Sequence, residues 1–109
     1  MKTKFFSLIV LVLLFSQNLF GVAYKGQRIY AKNCVSCHGK QPFIQSKKAS
    51  EWEAVIGKNG EKLAKIHTKS PKAKESLKFF QNKKYKRKVR HLKDFLTEYA
   101  KDGKVPTCN

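Results

Sequence analysis

The pentapeptide Cys34-Val35-Ser36-Cys37-His38 constrains this chain more than any other feature. Two thiols three positions apart, with an imidazole next in line, have the spacing by which a porphyrin is sewn to a polypeptide. Each sulfur can add to one vinyl group of a single porphyrin. The adjoining histidine then lies under the ring, where an imidazole nitrogen can bind the iron. The thioether bonds do not depend on iron ligation, so the metal can change oxidation state without being lost. Cys34 and Cys37 are therefore the expected covalent haem attachments, and His38 is the expected proximal ligand.

C-x-x-C alone is shared with redox dithiols and zinc sites. A thioredoxin-type dithiol calls for a βαβ setting, and no strand alternation surrounds these cysteines. A closed zinc site calls for four protein ligands. Cys34, Cys37 and His38 do not easily converge on one tetrahedral ion, and Cys108 with a second histidine would have to come from far along the chain.

Around the motif stand Gly26, Ile29-Tyr30, Asn33 and Gly39. With Cys34, Cys37 and His38 they give a stretch that resembles the small single-haem c-type cytochromes. The resemblance implies an all-α, class I cytochrome c-like fold of about five helices wrapped around one covalently bound haem. It implies electron transfer, with no catalytic residues. Beyond Gly39 it is a likeness of helix order only.

The rest of the chain reads as helix and loop. A first helix is expected from Tyr24 to Asn33. Gly39 to Lys48 reads as loop. Ser50 and Glu53 have the spacing of a capping box, opening a short helix with Trp52, Val55 and Ile56 on one face. Asn59-Gly60 ends it, and Glu61 to His67 forms another, with Leu63, Ile66 and His67 together. Ser70-Pro71 restarts the chain, and that helix runs to about Gln81 with Leu77, Phe79 and Phe80 as its apolar contacts. In the last helix Tyr85, Val89, Leu92, Leu96 and Tyr99 recur at four, three, four and three residues, one continuous stripe widened by Phe95. Gly103 is expected to stop it, and Pro106 to prevent a restart.

The ends point to export. Met1-Lys2-Thr3-Lys4 is a basic start, Phe5 to Phe15 is almost purely apolar, and Gly21-Val22-Ala23 offers small residues for a peptidase. This pattern predicts a secretory signal over residues 1–23, cut after Ala23. The apolar core is too short for a bilayer of about 30 Å, although a retained anchor is the alternative. A single domain over 24–109 follows, located in the periplasm, where the resemblance also puts haem attachment. Such a short chain buries a modest core by itself, so the haem-free form is expected to fold poorly. Cys108 is left over, as an idle thiol or a link to another protein.

The net charge is +17, and +15 once Lys2 and Lys4 leave with the signal. No acid lies between Glu75 and Asp94. Such a field steers the chain toward acidic surfaces. An acidic redox partner is the expected target and an anionic membrane surface the competitor. Nucleic acid is excluded as a target for an exported haem protein.

The second face of the iron is open to several readings. The family resembled usually supplies a methionine there, but the only methionine is Met1. His67 is the preferred distal ligand, on the apolar side of its helix, with His91 as the alternative. Lys83, Lys84, Tyr85 and Lys86 occupy the stretch where the family's loop lies, and the site could also be open. An open site implies gas binding or weak peroxidase chemistry, and a haem-free chain a thiol-disulfide oxidoreductase. Imidazole predicts a lower potential than methionine.

Overall fold

The computed structural model describes residues 23–104. Its regular structure there is entirely helical, as the periodicity predicts. Helix α1 spans residues 23–33. Then follow α2 (Val35–His38), α3 (Gln41–Ile44), α4 (Ala49–Ile56), α5 (Glu61–Lys69), α6 (Leu77–Phe80) and α7 (Tyr85–Glu98), with 3₁₀ turns at Lys58–Gly60 and Pro71–Ser76. That is seven α-helical segments among the described residues, against about five expected. The difference lies in single-turn helices: α2 forms on the motif itself, and α3 forms within the expected loop, with Pro42 in its first turn. The signal segment up to Val22 and Cys108 lie outside the described residues.

The α7 stripe is the spine of the core. Val89 and Leu92 are 1 % exposed and Leu96 3 %. Burying each such side chain stabilises the fold by about 1.5–3 kcal/mol. Helix α4 packs on α7 through Trp52 and Ile56, both buried. The helix ends at Glu98 rather than at Gly103, and Tyr99 is its C-cap. The chain turns back there through a hydrogen bond from the Lys104 N–H to the Glu98 carbonyl, 2.8 Å.

Helix α4 begins one residue before Ser50, with Lys48 as its N-cap, so the expected Ser50–Glu53 box does not form. The Lys48 N–H donates to the Glu51 carboxylate at 3.1 Å. The Ala49 N–H donates to Asp102 Oδ1 at 2.8 Å. Helix starts leave N–H groups unsatisfied, and here a carboxylate from the far end of the chain satisfies one. The Lys101 N–H adds a bond to the Lys47 carbonyl at 2.9 Å.

Two glycines set the approach of elements. Gly26 brings α1 onto α7: a Cβ there would lie 2.0 Å from the His91 carbonyl oxygen and 2.6 Å from Phe95 Cβ. Gly60 has φ +74°, and a Cβ there would meet Tyr85 Oη at 2.6 Å and Val89 Cγ2 at 2.7 Å. The Tyr85 hydroxyl instead donates to the Gly60 carbonyl at 2.6 Å. Backbone cannot yield at Gly26 as a side-chain tip could. Gly26→Ala is therefore expected to lower unfolding free energy by about 3 kcal/mol, read from denaturant melts; a loss below about 0.5 kcal/mol would mean the two helices are free to separate.

Candidate haem site

Helix α1 ends where the motif begins. The Cys34 N–H still bonds the Tyr30 carbonyl at 2.9 Å, and the His38 N–H bonds the Cys34 carbonyl at 3.0 Å. A single helical turn thus carries both sulfurs and the imidazole. Gly39, at φ +73°, breaks it. The Tyr30 hydroxyl donates to the Gly39 carbonyl at 2.5 Å, tying the end of the motif to α1.

Cys34, Cys37 and His38 line one cavity of about 320 Å³, within the range of cofactor sites. Its walls are mostly apolar. Trp52 and Val55 come from α4, Leu63 and Ile66 from α5, Phe80 from α6, and Leu92 and Leu96 from α7. Ile66 is 55 % exposed although it lines the cavity. Lys47 and Lys72 stand among the lining residues, offering positive charge to carboxylate groups.

His67 also lines this cavity, and His91 does not. The His38 and His67 rings have centroids 6.1 Å apart and planes crossed at 81°. His67 Nδ1 is 2.7 Å from the Leu63 carbonyl oxygen. A carbonyl only accepts, so Nδ1 is the donor, and in the neutral ring Nε2 is the nitrogen with the lone pair. Each imidazole is backed by a phenyl ring. Phe43 stacks on His38 at 4.1 Å and 14°, and Phe80 on His67 at 4.3 Å and 23°. His91 sends its carbonyl toward Gly26, and its Nδ1 is buried without a hydrogen-bond partner. Lys83, Lys84 and Lys86 are exposed outside the cavity. Trp52 Nε1 donates to the Ile44 carbonyl at 2.9 Å, and Tyr85 to Gly60. Neither polar tip is left over for a propionate.

Burial pushes the Cys34 thiol up to about 12, and the neighbouring Cys37 adds to the rise. Redox dithiols work by the opposite shift, a thiolate stabilised near neutrality. Burial, then His67, lowers the His38 pKa, which favours the neutral imidazole that binds metals.

Sequence reading missed the two phenyl braces and the cavity lysines. Phe80 was legible only as a core contact, and nothing in a lysine-rich chain distinguishes Lys47 or Lys72. Phe43, five residues beyond His38 in an expected loop, carried no periodic signal.

An all-helical shell enclosing an apolar cavity, with two sulfurs and an imidazole on its wall, defines a protein of the covalently attached haem class. The family model for cytochrome c matches residues 23–103, and the chain belongs to that family. Its cofactor is haem c, with its iron. The described donors fit that group: paired sulfurs, imidazoles free to ligate, apolar walls, and cations among the lining. No curated protein and no solved structure matches the chain significantly.

Proposed function

We propose that the protein is a periplasmic electron carrier with one haem, attached through Cys34 and Cys37, with His38 as the proximal ligand. One observation carries this reading: both sulfurs and His38 share the wall of a single apolar cavity to which no carboxylate contributes among the described residues. Haem, when bound, supplies a centre that gains and loses one electron. The residues of the chain would hold it by two sulfurs, face it with apolar side chains and place Lys47 and Lys72 beside it.

That charge supports docking on an acidic redox protein. Lys83, Lys84, Lys86, Arg87, Arg90 and Lys93 are all exposed. Among the described residues the one ion pair is Lys104 with Glu98. The positive surface is thus largely unneutralised and free to steer an encounter. Stopped-flow oxidation by an acidic redox protein is expected to slow at least tenfold as ionic strength rises from about 0.01 M to 0.5 M. A rate indifferent to salt rules out docking by charge.

A further inference from the structure

The geometry points to His67 as the sixth ligand of the haem iron, which closes the second face, with the His38 and His67 rings held crosswise by Phe43 and Phe80. This rests on the covalent haem reading above and adds to it. The two rings stand on one cavity with centroids 6.1 Å apart. A metal–imidazole bond of roughly 2 Å on each side, plus roughly 1.2 Å from nitrogen to ring centre, separates two axial imidazoles by about 6.4 Å. The spacing therefore suits one metal between the rings.

The partner of the other nitrogen points the same way. A ligating histidine usually donates its second N–H to a carbonyl or carboxylate, which fixes tautomer and orientation. His67 Nδ1 does so to the Leu63 carbonyl at 2.7 Å, one helical turn back. Phe80, on the face of His67, is itself held by edge contacts with Phe79 and Tyr85, at 5.1 and 5.5 Å. Tyr85 is anchored by its bond to Gly60. The orientation of the His67 ring is thus set by packing that reaches α7. His91 lines no part of this cavity.

Crossed planes have an electronic consequence. Each imidazole donates through the iron d orbital perpendicular to its own plane. Parallel rings raise one such orbital above its mate, while crossed rings raise both alike and leave them nearly degenerate. The oxidised protein is then low-spin with one strongly anisotropic resonance at low field.

The test uses the exported chain loaded by a haem-attachment system. A pyridine haemochrome comes first and asks only whether both thioether bonds exist; failure there overturns the carrier reading and this inference together. With attachment intact, the expected results are that low-field resonance and no rapid carbon monoxide binding to the reduced protein. A rhombic three-line spectrum overturns the crosswise arrangement, and a high-spin spectrum or immediate carbon monoxide binding overturns ligation by His67. In His67→Ala the low-spin signal is expected to be lost, carbon monoxide to bind within mixing time, and added imidazole to restore the low-spin form. Should that variant fail to accumulate, Phe80→Ala is expected to move the resonance toward rhombic while attachment persists; an unmoved resonance overturns the bracing. His91→Ala is expected to leave the spectrum unchanged, and a change of ligation in it overturns the assignment.

Discussion

A chain carrying Cys34→Ala and Cys37→Ala together, exported beside a haem-attachment system, is expected to accumulate no coloured folded protein. The cavity at the motif measures about 320 Å³. Without the porphyrin its apolar wall faces water, and each 100 Å² of apolar surface left so forgoes roughly 2.5 kcal/mol. A small domain has a total stability of about 5–15 kcal/mol, so the haem-free chain stands close to unfolding. The walls that lose their packing come from α4, α5, α6 and α7 at once. Each single variant keeps one sulfur. It is expected to stay coloured, with its haemochrome band moved to longer wavelength because one vinyl group remains conjugated. Absorbance at equal protein, with circular dichroism during heating, reads both effects. A double variant that melts like the parent would show that the helices need no porphyrin.

The second large effect is electronic. His67→Met is expected to raise the midpoint potential by a few tenths of a volt, within the span of about 0.8 V that axial ligands command. A thioether stabilises ferrous iron, whereas an imidazole gives the metal more electron density and favours the ferric form. Methionine is unbranched and adapts to irregular space, so it suits a cavity side lined by Leu63, Ile66 and Phe80. The parent protein should correspondingly lie below carriers ligated by methionine and histidine. Potentiometric titration of both proteins decides the matter. An unchanged midpoint in His67→Met, with the haem still attached, removes His67 from the iron.

Much of this is legible in the amino-acid sequence. The motif is a local device: a single turn holds Cys34, Cys37 and His38, so five consecutive residues carry the chemistry. The α7 stripe was equally plain, since Tyr85, Val89, Leu92 and Leu96 all bury as the period requires. What escaped was long in reach. The start of α4 is satisfied by Asp102, fifty-three residues away, and local spacing at Ser50 and Glu53 suggested a box that the backbone does not make. The single-turn helix α3 is too short to show a period of 3.6 residues. The braces on the imidazoles come from α3 and α6, thirty-seven residues apart, a relation visible only once the chain has closed. The sequence preferred His67, on the apolar side of its helix, to His91 at the edge of its stripe, and the packing sets the first ring on the cavity and the second away from it.

The bonds from Ala49 to Asp102 and from Lys101 to Lys47 make the final described turn a latch on the helix that bears Trp52. Trp52 also lines the haem cavity, so the latch bears on one of its walls. A tag or truncation at the carboxyl end therefore touches the crevice from a distance.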